Sequence, residues 1–343
     1  MIDTTTHMAR EIREIPALTR SFLDANTALL AQIGQTLRST DPQVVITVAR
    51  GSSDHAASYL KYACELLSGI PVASVGPSVA SVYGARLQLP RALCIAVSQS
   101  GQSPDIVAMS RAARDSGALA VALTNNPEAP LATGADHTLA LGTGPERSVA
   151  ATKTFVASIV AGMAMLAEWQ QDRALQVALA RLPDALDAAL GLDWSPLANR
   201  LVRAQSAYVL GRGPGFAVAC EMALKFKETS ALHAESYSAA EVLHGPAAIV
   251  EAQFPVLALA VEDAAQAGIA QTATRLAAQG ADVFLTGAAG EGVQTLPRTA
   301  PLHPLLDPLV AIVTFYAFVE MLARRRGFNP DTPRHLNKVT ETM

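Results

Sequence analysis

The sequence predicts an α/β fold of two tandem domains, each a mostly parallel sheet with helices on both faces. Three observations predict it. From residue 44 to about 171, short apolar runs alternate with helix-like segments, and this alternation places helices on both faces of a parallel sheet. The same plan restarts near residue 207. Finally, Val45–Ser53 parallels Tyr208–Gly215: each joins a strand-like run, an Arg-Gly pair and a helix start, as a duplicated unit would.

The elements follow in order. Residues 6–39 carry helical periodicity, and Pro16 is expected to separate a short first helix from a longer second one. Strands are expected at Val44–Ala49, Val72–Val75, Leu93–Val97, Leu119–Leu123 and Thr138–Leu141. The run Ala92–Val97 is too short and too continuously apolar for an exposed helix, and suits a strand buried on both faces. A long helix from about Val149 to Gln171 closes the first half. Residues 183–200 read as a connecting segment, because Pro183, Gly191 and Pro196 interrupt the pattern.

In the second half, Ala207–Leu210 reads as a strand, followed by Gly211-Arg212-Gly213 and a helix from about Phe216 to Ser230. Strands at Val256–Ala260 and Val283–Leu285 precede a final long helix around 307–325. The expected division is an N-terminal helical segment 1–40, a first domain 41–182, a connecting segment 183–200, a second domain 201–328 and a tail 329–343.

A length of 343 residues suits two domains, and with half the residues hydrophobic and 16% charged there is material for large cores. The net charge of −4 and the lack of a basic run give no electrostatic reason to bind nucleic acid. Cys64, Cys94 and Cys220 are widely separated in apolar stretches, which reads as reduced core thiols of a cytoplasmic protein without a metal site. The N-terminus lacks the order of a signal peptide. The apolar run Phe155–Leu166 falls short of the ~20 residues that span a bilayer, and Pro308–Leu322 is interrupted by Glu320. The expectation is a cytoplasmic protein with no membrane partner and no cofactor.

Residues 97–105, Val-Ser-Gln-Ser-Gly-Gln-Ser-Pro-Asp, lie between a strand-like and a helix-like run, and that order builds an anion site. Ser103 suits the N-cap and Pro104 the first helical position. A helix start leaves backbone N–H groups unpaired and carries partial positive charge. Ser98, Gln99, Ser100 and Ser103 add side-chain donors, and Gly101 lets the backbone approach a ligand. Such a loop can hold a phosphate without a lysine. Asp105 counts against it by competing for the same positive end, and the plainer reading is a polar loop that only caps its helix.

The densest polar region is 221–246. Glu221, Lys225 and Glu228 fall at i, i+4 and i+7 of a helix, so one face carries two carboxylates around an ammonium. The ordinary reading is a solvated ion-pair face. Met222, Ala223, Leu224 and Phe226 fill much of the remaining surface, so the charged face is expected to look into a cleft. His244, before Gly245-Pro246, is suited to proton transfer at neutral pH. The basic tail Pro333–Lys338 says little by itself.

Together these stretches resemble the tandem sugar isomerase (SIS) domain family, in particular the isomerase part of glutamine–fructose-6-phosphate amidotransferase. The resemblance runs from Met8-Ala9-Arg10-Glu11-Ile12 to Lys338 and rests on Gly51-Ser52-Ser53, Ser98-Gln99-Ser100-Gly101, Val149-Ala150-Ala151-Thr152-Lys153, Ala223–Glu228, His244-Gly245-Pro246 and Pro333–Lys338. It implies two SIS domains and a phosphosugar substrate. It also implies a homodimer with shared active sites, because His244 matches a ring-opening histidine that the neighbouring subunit supplies. Glu228 matches the carboxylate that moves a proton between sugar C1 and C2. Lys338 matches the lysine that forms a Schiff base with the open-chain ketose, and Lys225 a lysine close to the reacting carbons. Ser52, Ser53, Ser98, Gln99, Ser100 and Ser103 match ligand-loop positions, mostly around the 6-phosphate. Val149 matches a backbone contact to the sugar, and Asn337 sits beside the Schiff-base lysine as a further substrate contact. A cation beside that lysine would depress its pKa and favour the free amine.

Some positions depart from the amidotransferase. Ala151 stands for a serine that touches the sugar, and Asn337 for a small residue. The sequence carries no glutaminase domain and no terminal cysteine nucleophile, so ammonia channelled from glutamine is not expected. Gln102-Ser103-Pro104-Asp105 looks more like stand-alone tandem-SIS deaminases and isomerases. The implied activity is glucosamine-6-phosphate deamination to fructose 6-phosphate and ammonia. Aldose–ketose isomerisation and deglycation of a fructosamine 6-phosphate are the related alternatives. A non-catalytic phosphosugar sensor is the alternative of another class. A sensor has no use for Glu228, His244 and Lys338 together, and no DNA-binding extension is present.

Overall fold

The computed structural model describes residues 5–338, so the ends of the expected N-terminal segment and tail, 1–4 and 339–343, lie outside the described residues. The chain forms two compact units. The first gathers residues 17–146, 153–180 and 337–338, and the second 5–16, 147–152 and 181–336.

The strands of the first unit are β1 (Val44–Val48), β2 (Val72–Ser74), β3 (Ala92–Val97), β4 (Leu119–Thr124) and β5 (His137–Ala140). They form one sheet in the order β2-β1-β3-β4-β5, and every pairing is parallel. The whole of β3 is buried, as its unbroken apolar run requires. The helices are α1 (His7–Thr40), shared with the second unit, then α2 (Ser52–Ser68), α3 (Ser78–Ser81), α4 (Pro104–Asp115), α5 (Pro130–Thr133) and α6 (Lys153–Gln170). Helix α6 is buried over nearly its whole length. It lies so close to α2 that a Cβ at Gly162 would overlap the Leu60 side chain.

The second unit holds α7 (Arg173–Ala189, begun in the first unit), α8 (Ser195–Leu201), α9 (Pro214–Ser230), α10 (Gln266–Ala278) and α11 (Asp307–Arg325). Its strands are β6 (Ser206–Gly211), β7 (His233–Ser238), β8 (Pro255–Leu259), β9 (Asp282–Thr286) and β10 (Gln294–Leu296). Their order, β10-β9-β8-β6-β7, read from its other end is the order of the first sheet. Helix α9 packs against α11 through Phe226, whose ring lies 5.0 Å from that of Phe315.

The duplication extends to backbone angles. Gly51, after β1, is the N-cap of α2 with φ 56° and ψ −134°, and Gly213 holds the same position before α9 with φ 57° and ψ −136°. Positive φ at these junctions favours glycine.

The structure corrects several expectations. Pro16 lies inside one continuous helix; it is buried with Ile12 and Ile15, and burial of that face offsets the lost backbone hydrogen bond. Pro183 likewise lies inside α7 and α8 follows at Ser195, so 183–200 is largely helical. Helix α6 begins at Lys153 rather than near Val149; Glu146 accepts the Thr154 N–H in its first turn, and the Val149 N–H donates to the Asp331 carbonyl (3.2 Å). Strands β7 and β10 and helix α10 were not expected.

Candidate active site

In the first unit, β1 and β3 are neighbours, so the starts of α2 and α4 meet beyond the same sheet edge. Ligands of open α/β sheets bind at this carboxyl edge. Ser52 and Ser53 open α2, and Ser103 and Pro104 open α4. Ser103 holds the expected N-cap position, but its hydroxyl makes no capping bond.

The loop between β3 and α4 is internally braced. Ser98 is buried and its Oγ accepts the Gly101 N–H at 3.2 Å, while Ser100 Oγ accepts the Gln102 N–H at 3.3 Å. The Gln99 carbonyl accepts from Asn125 N (3.1 Å) and Thr124 Oγ1 (3.3 Å). Gly101 has φ 64°, and a Cβ there would lie 2.7 Å from Ala129 and 2.8 Å from Thr124, so only glycine fits. Gln99, Ser100 and Ser103 are half-buried around it. Two helix starts and a hydroxyl-lined turn make a nest for an oxyanion.

Asp105 does not oppose an anion there. It is buried, and its carboxylate is gripped by Arg50 through Nε and Nη2, both at 2.6 Å. Arg50 keeps about half of its side chain exposed; its guanidinium balances the aspartate charge and links the end of β1 to the first turn of α4.

Also in the first unit, Lys338 donates to Glu146 Oε2 at 3.0 Å. The Glu146 side chain has no exposed surface. It also accepts Thr154 N–H (3.2 Å) and Thr154 Oγ1 (2.8 Å), fixing the start of α6. A carboxylate thus neighbours the tail lysine. Asn337, beside it, is exposed.

The second unit carries the Glu–Lys–Glu row, and it is not a solvated face. Glu221 and Lys225 have no exposed side-chain surface, and Glu228 keeps 21%. Lys225 Nζ lies 3.3 Å from Glu221 Oε1 and donates to Glu228 Oε2. Tyr316 of α11 donates its hydroxyl to Glu221 at 3.2 Å. Burial alone would lower the Lys225 pKa, but Glu221 and then Glu228 reverse this and raise it above the ordinary lysine value. Lys225 is therefore a fixed ammonium, and Glu228 is the end of the row that meets solvent.

His244 lies elsewhere in that unit, exposed at the end of a one-turn 3-10 helix whose Glu241 carbonyl accepts its N–H at 2.8 Å. Because the Val149 N–H is taken by Asp331, a backbone contact from Val149 to a ligand falls to its carbonyl. Asp331 also ties the tail down, accepting from His7 N (2.7 Å) and Met8 N (2.8 Å) at the start of α1.

The structure therefore gathers Ser52, Ser53, Ser98, Gln99, Ser100 and Ser103 at one sheet edge, and Lys225 with Glu228 on one helix; His244 follows a different element of the second unit. Sequence reading missed Glu146, Tyr316 and Arg50. Glu146 carried one usable signal, a carboxylate just before Val149–Lys153. Among the described residues, no three His, Cys, Asp or Glu side chains gather as a metal site, and no helix is long and apolar enough to cross a membrane. Cys64 and Cys94 are buried, and burial pushes the Cys94 thiol up to about 12.

Comparison with known proteins places this geometry. Residues 40–168 and 200–323 match the SIS domain family. Glutamine–fructose-6-phosphate aminotransferase [isomerizing] of Symbiobacterium thermophilum is 36% identical over 96% of the chain, which spans 58% of that protein. A solved structure of a candidate phosphosugar isomerase from Silicibacter pomeroyi DSS-3 is 54% identical, with a TM-score of 0.92 over 95% of this chain and 100% of that one. Glucosamine-6-phosphate deaminase of Thermotoga maritima superimposes with a TM-score of 0.78 over 98% of this chain and 100% of that one; at 20% identity this likeness shows the fold.

Proposed function

The chain belongs to the SIS domain family, which it matches as two tandem copies, and from that premise we propose that it is a phosphosugar isomerase or deaminase. The substrate we favour is an amino-sugar 6-phosphate, and the reaction glucosamine-6-phosphate deamination to fructose 6-phosphate and ammonia. The observation that carries the reading is the row on α9: Lys225, fully buried, holds Glu221 on one side and the partly exposed Glu228 on the other. Removing one partner from such a buried charged set is costly, and the set itself adds little stability, so its use is better sought in chemistry.

In this reading the 6-phosphate sits in the 98–103 loop with Ser52 and Ser53, remote from the reacting bond, and its binding energy positions the sugar. His244 assists ring opening from the neighbouring chain of a homodimer, which its exposure on a turn supports. Glu228 takes the proton from C2 and returns it to C1, leaving an imine at C2. Lys338 adds to C2 and displaces ammonia by imine exchange, and water then hydrolyses the lysyl imine to the ketose. Lys225 stabilises the negative charge that develops on the enolamine. Val149, through its carbonyl, and Asn337 orient the sugar.

The domains take the bounds 41–182 and 201–328, with 329–343 as an active-site tail. The unpaired thiols of Cys64, Cys94 and Cys220 support a reducing, cytoplasmic setting. The deciding experiment is ammonia release across a panel of hexosamine 6-phosphates. Equal yields of ammonia and ketose phosphate are expected. Ketose without ammonia would make the chain an isomerase, and binding without turnover a sensor.

A further inference from the structure

The duplication leaves the second unit with a counterpart of the anion loop. In the first unit β3 leads through 98–103 into α4; in the second, β8 leads through 260–265 into α10, and both loops are six residues long. One brace is shared. Thr124, ending β4, donates to the Gln99 carbonyl at 3.3 Å, and Thr286, ending β9, donates to the Ala260 carbonyl at 3.2 Å. The chemistry is not shared. Ala260-Val261-Glu262-Asp263-Ala264-Ala265 replaces Ser98-Gln99-Ser100-Gly101-Gln102-Ser103, so side-chain donors give way to methyl groups and two carboxylates.

Beside this loop, at the carboxyl ends of β8 and β9, lies a cavity of about 30 Å³ open to the centre of a water-sized sphere. A single water needs ~10–15 Å³ by that measure, so there is room for one or two water-sized groups. Its wall includes Ala260, Thr286, Trp194, Asp307 and Thr314. Asp307 Oδ2 is buried with no hydrogen-bond partner, while its Oδ1 accepts from Leu302 N (2.8 Å) and His303 N (3.2 Å). The Thr286 hydroxyl proton is committed to Ala260, and that of Thr314 to the Ala189 carbonyl at 3.0 Å, so both oxygens can only accept from a ligand. Trp194 Nε1 donates to the Pro297 carbonyl at 3.0 Å. The one cation in the wall, Arg298, is ion-paired with Glu262. Burial raises the Asp307 carboxyl above its usual range, outweighing the Leu302 and His303 N–H groups and the nearby Arg298 and His303, all of which lower it.

We propose that this cavity is a monovalent-cation site for an ion of the size of ammonium or potassium, held by Asp307 Oδ2 and the oxygens of Thr286 and Thr314. The inference is independent of the activity proposed above. A cation supplies a partner for the bare Oδ2, and the threonine lone pairs complete its shell. The ion joins the end of β9 to the start of α11, so its binding stabilises the folded chain by mass action.

The test is thermal unfolding of the full chain in ammonium, potassium, sodium and tetramethylammonium chlorides at one ionic strength. A saturable rise in midpoint is expected with ammonium and potassium, and none with tetramethylammonium, which does not fit. Thallium-soaked crystals should show an anomalous peak within about 3 Å of Asp307 Oδ2. Asp307→Asn keeps an acceptor for Leu302 and His303, so it should fold and lose the ammonium increment. If it does not fold, Ala311→Leu, which fills the cavity from α11, should remove the increment instead. Equal midpoints in all four salts, no thallium peak, or an increment that survives in the folded variants would overturn the site and leave a cavity that holds water only.

Discussion

The Lys338 ammonium lies 3.0 Å from Oε2 of Glu146, a carboxylate with no exposed surface that also receives both polar groups of Thr154 at the start of α6. One buried acid thus sets where α6 begins and where the tail lysine rests. A buried carboxylate needs such partners, and the tail supplies the charged one.

Glu146→Gln separates these two duties. The amide still accepts from the Thr154 N–H, but it no longer attracts the ammonium. The fold should survive, while turnover falls by about 10–100-fold, the range typical of misplaced reacting groups. Borohydride with a ketose phosphate should trap an adduct on Lys338 in the parent and much less in the variant, read by peptide mass. Equal trapping would show that Glu146 does not position Lys338, and an adduct on Lys225 would reverse the lysine roles.

Glu228→Gln keeps shape and removes the proposed base. kcat should fall by about 10²–10⁴-fold with KM little changed. The direct measurement is deuterium uptake at sugar C1 or C2 in heavy water, which should stop. Exchange at the parent rate would assign the base elsewhere.

What was legible in the sequence was what short range determines. The strand β3 and the loop after it are consecutive residues, so their burial and donors could be read together. Strand β7, His-Ala-Glu-Ser-Tyr-Ser, has no apolar run because it lies at a sheet edge and only Ala234 is buried. The roles of Asp105 and Glu146 were hidden for another reason: their partners Arg50 and Lys338 lie 55 and 192 residues away. Asp105 read alone opposes an anion, whereas the ion pair does not. The Glu221–Lys225–Glu228 spacing was visible, but its burial depended on α11 packing over α9, which spacing alone does not reveal.

Ser98→Ala with Ser100→Ala removes two of the hydroxyls that brace the 98–103 loop, the proposed phosphate site. KM for the phosphorylated sugar should rise well over tenfold, and the unphosphorylated sugar should be unaffected. An unchanged KM would remove the loop from the site.

A histidine lent between chains predicts complementation. His244→Ala and Glu228→Gln chains should each be inactive, and their mixture, after verified subunit exchange, should regain part of the activity, because one of the two-fold related sites is then intact. No recovery would mean that each chain builds its own site.

Lys225 gives a prediction about stability and pH. Its folded-state pKa is raised above the ordinary 10.5 because Glu221 and Glu228 outweigh the cost of burial. The sign follows by linkage: a raised pKa contributes stability that is fully present below the unfolded value and is lost as pH rises through the folded one. The parent should therefore lose stability above about pH 10.5, steeply if the row is intact. Lys225→Met leaves two carboxylates facing each other, one of them without exposed surface, and should cost about 3–5 kcal/mol near neutral pH. The same variant should be less stable still at high pH only through other groups, so its alkaline slope should be shallower than the parent's. Denaturant midpoints between pH 7 and 11 read the difference. Parallel curves for parent and variant would show that the ammonium is not what holds the two acids together.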